Sequence, residues 1–417
     1  MTSTLPAASA DRSFLRSLPL CTCTFRPDTR LEIVPRFNIT YQVPWRETNQ
    51  GSFYDDLYYQ KSARRIRGRL LGRWAALDQL QITAGGDAIF DHAALIAPAG
   101  PGIQIPFTAN GADQIDYQTY AGYVELYSEN PIVNVAAGAR YDHLSSVGGA
   151  LVPRLVLLRT FGSVSLKGLF SLSFRAPGIE NLNLGVNIRP EKTRVFEFEG
   201  AVDLTPQQRI SANVFDVAIN APIAYSVDPN SMSESYVNLG KQGTRGFEIA
   251  YRLRHPLIRL EANYSFYVPS VADNTPTYDV PGHKEQFLGA PAHKGSLRAT
   301  LRTWQDTGIT PSVAILGPSF TKGPPDGSGV ATAVDVPAQV LANLFIYRDN
   351  VGVPGLRLGL GVYNIFGVNF RYPRPYAPTP ADNSAAAARD AYAADHAPLP
   401  ALDREVVLQL SYVLEPS

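Results

Sequence analysis

Apolar and polar residues alternate along much of the chain. From Val164 to Phe174 one side holds Val164, Leu166, Gly168, Phe170, Leu172 and Phe174, and the other holds Ser165, Lys167, Ser171, Ser173 and then Arg175. A period of two is that of a β-strand with one oily and one wet flank. The pattern returns in Phe196, Phe198, Gly200, Val202 and Leu204 against Glu197, Glu199 and Asp203. It also runs through Leu31, Ile33, Phe37, Ile39, Tyr41 and Val43. Residues 64–77 set Ile66, Gly68, Leu70, Gly72, Trp74 and Ala76 against Arg65, Arg67, Arg69 and Arg73. Arginine at nearly every second position does not suit the buried face of a soluble sheet, but it suits the wet interior of a membrane barrel. Strands of about ten residues are long enough to cross a bilayer at a tilt.

Further candidate strands are 80–91, 116–127, 132–142, 151–160, 208–219, 244–254, 257–267, 294–303, 310–319, 338–347, 356–366 and 404–414. With the four above, that predicts about sixteen strands, an even number as bacterial barrels favour. Brief connections (78–79, 128–131, 161–163, 205–207, 255–256, 305–309, 349–355) alternate with longer ones (44–63, 92–115, 143–150, 175–193, 220–243, 268–293, 320–337, 367–403). Insertion from one side sorts loops in this way, with short periplasmic turns and extended outer loops; a soluble sandwich has no reason to do so. Tyr41, Trp45, Tyr127, Tyr264, Tyr267, Tyr347 and Tyr372 stand near strand ends, where interfacial aromatic girdles sit. The predicted organisation is an irregular segment 1–30, a barrel 31–414 and a tail 415–417.

Composition narrows the function classes. Lys plus Arg and Asp plus Glu both total 37, giving a net charge of zero, which speaks against a dedicated nucleic-acid binder. The mean hydropathy of −0.09 is what alternation averages to in a barrel as well as in a soluble protein. No run of eighteen apolar residues exists, so membrane helices are not expected. Cys21 and Cys23 are the only cysteines, so neither a disulfide framework nor a zinc cluster is expected. Residues 1–30 make a poor secretory signal, because the apolar run after Arg16 is short, Thr-rich and closed by Arg26. Asp91-His92 and Asp142-His143 are adjacent pairs, yet neighbours on a strand face opposite ways. No nucleophile-elbow, zincin, P-loop or dinucleotide motif occurs, so no catalytic residue, metal site or cofactor is expected.

Several segments carry a family likeness. Phe174-Arg175-Ala176-Pro177 with Glu180-Asn181-Leu182 resembles the FRAP segment of TonB-dependent outer-membrane receptors. Asn187 to Arg194, with Pro190 and Glu191, is similar to the segment that follows it in that family. Tyr236-Val237-Asn238 with Gly246 and Glu248 resembles a later one, as does Pro291-Ala292-His293. Asn364-Ile365-Phe366 is similar to a motif near the family's C-terminus, and Tyr117 to Ala121 and Arg140-Tyr141-Asp142 resemble earlier ones. Together these span most of residues 116–414 in family order.

The resemblance implies an all-β, transmembrane antiparallel β-barrel holding about 16 of the family's roughly 22 strands. The family's N-terminal plug and TonB-contacting segment are expected to be absent from this chain, and Glu415-Pro416-Ser417 follow where the family ends in an aromatic. The implied role is uptake of a scarce ligand across the outer membrane of a Gram-negative bacterium. A ferric siderophore comes first; cobalamin, other metals or glycans are further classes. Expected partners are outer-membrane lipid and a small-molecule ligand such as a metal chelate. TonB is a partner only if the missing N-terminal part is present. Arg65, Arg67, Arg69, Arg73, Arg140 and Arg175 are candidate lumen-facing ligand contacts, weighed against a structural reading in which they pair within the wall. Competing readings are a passive or degenerate barrel and, from another class, a barrel-rim enzyme or adhesin.

Overall fold

The computed structural model describes residues 15–45, 60–97, 111–178, 181, 187–227, 234–270, 280–303, 306–325, 331–368, 371–372, 399–400 and 403–413. Two compact units emerge. One comprises Met1–Leu157, Leu169–Arg194 and Ile219–Gly240; the other comprises Leu158–Gly168, Val195–Ala218 and Lys241–Ser417. In chain order the first strands are β1 (Leu15–Thr22), β2 (Leu31–Trp45), β3 (Gln60–Leu77), β4 (Leu80–Ala97), β5 (Gln114–Ser128) and β6 (Asn134–Leu144). Then come β7 (Gly148–Phe161), β8 (Val164–Arg175), β9 (Glu191–Thr205), β10 (Gln208–Asn220), β11 (Ile223–Val227) and β12 (Glu234–Asn238). The rest are β13 (Lys241–Arg254), β14 (Ile258–Pro269), β15 (His293–Arg302), β16 (Thr307–Leu316), β17 (Ser319–Pro325), β18 (Ala331–Val336), β19 (Gln339–Arg348), β20 (Leu356–Tyr363), β21 (Arg371–Tyr372), β22 (Leu399–Pro400) and β23 (Glu405–Tyr412). Among the described residues no helix is long and apolar enough to cross a membrane, which says nothing of a barrel.

Every candidate strand from Leu31 onward has a counterpart. Among the described residues seven strands are additional: the short pairs β11–β12, β17–β18 and β21–β22 fall in segments expected to be connections, and β1 lies inside the segment expected to be irregular and pairs antiparallel with β2. Its register shifts between Pro19 and Cys21. Proline removes a ladder donor and an irregularity resets the alternation, which is why the period of two was hidden there. The tail 415–417 and most of 367–403 lie outside the described residues, as do Trp45's side chain and that of Tyr372.

In the first unit β1 to β6 pair antiparallel in sequence order. The register places Arg69, Asp87, Ala121 and Asp142 in one cross-strand row, and Arg65, Asp91 and Tyr117 in another. Those residues share the charged face; Ile66, Leu70, Trp74, Phe90, Tyr120 and Tyr141 share the other. The charged face is the covered one. Asp87 and Asp142 are 5% and 4% exposed, whereas Leu70, Trp74 and Tyr141 are 56%, 50% and 51% exposed. A water-soluble protein distributes these residues the other way round. The apolar face of β3 runs uncharged from Ile66 to Trp74, about 26 Å along the strand, or about 20 Å upright at a ~40° tilt. Its edge is a polar row of Tyr41, Arg64, His92 and Asp116.

The second unit repeats the scheme in β13, β14, β15, β16, β19, β20 and β23, each antiparallel to the next. Ile249, Leu297, Ile315 and Leu360 are exposed on one face. The opposite face carries amide–hydroxyl contacts, Asn263 to Ser296 and Asn343 to Ser312, both 3.4 Å. Two of the longer connections hold ribbons of their own: β11 with β12 and β17 with β18. Residues 280–292 pack Val280 and Leu288 on Phe320 of β17, with Ala333 alongside. The His283 ring stacks on Phe320 at 4.0 Å.

Candidate functional site

Four of the five arginines of β3, Arg65, Arg67, Arg69 and Arg73, fall on one face because they are an even number of residues apart, and β4 presents carboxylates at matching register. Arg65 donates to both oxygens of Asp91, at 2.6 and 2.9 Å. Asp87 accepts from Arg67 at 3.0 Å, Arg69 at 2.8 Å and Arg140 at 2.9 Å, and its side chain is fully covered. Arg140 stands on β6, two strands away, and reaches Asp87 because the intervening Ala121 has almost no side chain. It also pairs with Asp142 at 2.7 Å and lies 5.5 Å from the Tyr123 ring centre. Tyr123 in turn fills the space where Gly85 lacks a side chain. Arg73 donates to Glu32 at 2.9 Å.

Arg175 is committed as well, but elsewhere. It donates to Glu191 at 2.6 Å, and the same Glu191 oxygen accepts the Ile223 amide at 2.6 Å. Asn238 completes this network in the manner of a missing strand. Its Oδ1 accepts the Arg189 amide at 2.7 Å, while its Nδ2 donates to the carbonyls of Arg189 and Ala221 at 2.9 and 2.8 Å. Three segments that look unrelated in sequence are thus one clamp at the long-loop end.

The other motif residues also have structural work. Asn364, 5% exposed, accepts the Val368 amide and donates to its carbonyl, closing the turn after β20. Phe366 is 73% exposed, and Pro177 is buried while Phe174 and Pro190 are half-buried. Gly246 has the Phe266 carbonyl oxygen and the Phe215 ring where a Cβ would stand. Glu248 lies with Asn263, Ser265 and Lys294 around a polar hollow on β13 to β15.

A cavity of about 640 Å³ opens on the charged face of the first unit at its long-loop end. Thr40, Gln42, Tyr117, Thr119 and Ser146 line it, with the Arg65–Asp91 pair and a cover from Ala176 to Gly178 and Asn181. Asn181 holds that cover by accepting the Gly178 amide at 2.8 Å. Of these residues, sequence reading singled out Arg65, Asp91 beside His92, the motif segment around Ala176 to Asn181, and Tyr117 and Thr119 within another motif. The signal for the rest was their parity opposite the apolar face. His92 and Asp91 face opposite ways as alternation requires, His92 meeting Asp116 at 2.9 Å. Among the described residues no three His, Cys, Asp or Glu side chains gather as a metal ion needs.

Two groups outside the strands are electrostatically biased. Arg357 holds the Asp349 carboxyl below its usual range in the turn after β19. Glu285 is lowered first by its own backbone amide and then by His283.

An exposed apolar face backed by a covered, internally paired charged face defines a β-barrel wall made for a membrane. The sequence model of the TonB dependent receptor-like, beta-barrel family matches residues 24–365, and the chain belongs to that family. Members of this family are outer-membrane receptors and transporters, not a class of enzymes. The fold is similar to that of a variant of the ferric enterobactin receptor PfeA of Pseudomonas aeruginosa, with a TM-score of 0.70 at 13% identity over 94% of this chain and 60% of that one. The siderophore receptor PirA of Acinetobacter baumannii gives 0.67 at 14% over 92% and 60%. The FrpB iron transporter of Neisseria meningitidis gives 0.71 at 13% over 94% and 62%. The chain therefore spans about three-fifths of the length of these receptors. No curated protein matches it.

Proposed function

We propose that this barrel serves an outer-membrane receptor that takes up a scarce small molecule, with ferric siderophores the first class to test. The observation that carries this reading is the inverted polarity of the wall, in which lipid-compatible residues are exposed and charges are covered and paired. The proteins of similar fold, a ferric enterobactin receptor, a siderophore receptor and an iron transporter, point the same way. The six candidate arginines enter as wall chemistry, since each already has a carboxylate at hydrogen-bonding distance. Coupling to TonB is proposed only for a polypeptide that also carries the family's N-terminal segment.

The test is expression with a secretion leader in a Gram-negative host defective in iron uptake. Recovery in the outer-membrane fraction as a heat-modifiable band, with retention of a radio-iron siderophore, is the expected result. Recovery as a soluble protein of unaltered gel mobility refutes the reading.

A further inference from the structure

The charge balance of the cavity under the Ala176–Gly178 cover speaks to ligand class. Its strongest ionic group, Arg65, is bound to Asp91 through two parallel hydrogen bonds, so each charge is already neutralised. Such a bidentate pair gives up little attraction to an incoming anion, which must first displace the carboxylate. Arg64 and His92 also border the cavity, but by strand alternation they belong to the opposite face, where His92 meets Asp116. What remains among the described lining residues is neutral. Thr40, Gln42, Tyr117, Thr119 and Ser146 bring hydroxyl and amide groups whose side chains bond to no other described residue. Five such groups around one aromatic ring, in a volume of about 640 Å³, fit the usual size range and polar content of a small-molecule site.

We propose that this cavity binds an uncharged ligand rich in hydrogen-bonding oxygens, and discriminates against polyanionic chelates. The assignment rests on the receptor reading and refines its substrate class. Two sources share this chemistry, a neutral ferric tris-hydroxamate and a neutral oligosaccharide. A ferric tris-catecholate, with three negative charges, represents the excluded class.

The experiment measures binding of these three probes to the full 417-residue chain folded in detergent micelles. At least one neutral probe should bind, tenfold or more tighter than the tris-catecholate, and the stronger of the two identifies the source. The double substitution Gln42→Leu, Tyr117→Phe should weaken that probe about tenfold, the loss of two ordinary hydrogen bonds. In the double substitution Arg65→Gln, Asp91→Asn, which removes both charges together, the neutral probe should still bind about tenfold or more tighter than the tris-catecholate. The ratio between probes is taken within each variant, so it does not depend on the amount folded. Preference for the tris-catecholate, abolished by Arg65→Gln, Asp91→Asn, overturns the ligand class and leaves the receptor reading standing. Failure of both neutral probes to bind overturns the ligand class, while the receptor reading stands or falls on the outer-membrane recovery described above.

Discussion

Asp87 offers the sharpest test of how the wall is held. Asp87→Asn keeps shape and one acceptor but removes the charge on which Arg67, Arg69 and Arg140 converge at 2.8–3.0 Å. Guanidinium groups sharing one carboxylate sit on the order of 6 Å apart, where two like charges repel by about 3 kcal/mol at an effective permittivity near 20. Removing one partner of a buried ionic group costs about 3–5 kcal/mol. The three arginine side chains remain 30–32% exposed, so water screens part of this. A destabilisation of about 2–3 kcal/mol is expected after that discount. The assay is urea-induced unfolding of the chain in lipid vesicles, read by loss of heat-modifiable gel mobility. Adding Arg69→Gln should recover about 1 kcal/mol, because one of the uncompensated charges has gone. An Asp87→Asn protein whose stability matches the parent within about 0.5 kcal/mol refutes the argument that this carboxylate organises the wall.

Further outcomes follow from the motif residues and one turn. Asn238→Ala forfeits three hydrogen bonds and should raise hydrogen exchange of segments 187–190 and 221–227 by the equivalent of about 2–3 kcal/mol, with little change in β3 or β4. Gly246→Ala places a Cβ against the Phe266 carbonyl oxygen, so it should destabilise by about 2 kcal/mol or more in the same urea assay, and Phe215→Ala should not restore it because the obstacle is backbone. The Asp349 carboxyl titrates below its ordinary 3.8 because Arg357 donates to it at 2.5 and 3.0 Å. A depressed acid stabilises the fold above its unfolded value and loses that contribution as pH falls through the folded one. Exchange at residues 349–355 should therefore rise below about pH 4, and Asp349→Asn should abolish this pH dependence.

Alternation made β2 to β6 legible because each strand there shows one clean oily flank, and the same logic located the long-loop end before any coordinate. It could not say what each arginine meets. Arg140 and Asp87 are 53 residues apart, and their contact exists only because Ala121 leaves a gap between them in a register no single strand reveals. Motif likeness had the opposite weakness: it marked Arg175, Glu191 and Asn238 without saying what they do. In the structure they join the loop after β8 to the ribbon β11–β12, so their shared pattern reflects fixing of the loops. β1 escaped notice for a simpler reason, since one proline and one register shift erase a period of two within eight residues. Sequence periodicity thus reports which flank a residue occupies, whereas ligand chemistry depends on which polar groups stay unclaimed after cross-strand pairing. For Thr40, Gln42, Tyr117 and Thr119 that second quantity becomes visible only when neighbouring strands are in register.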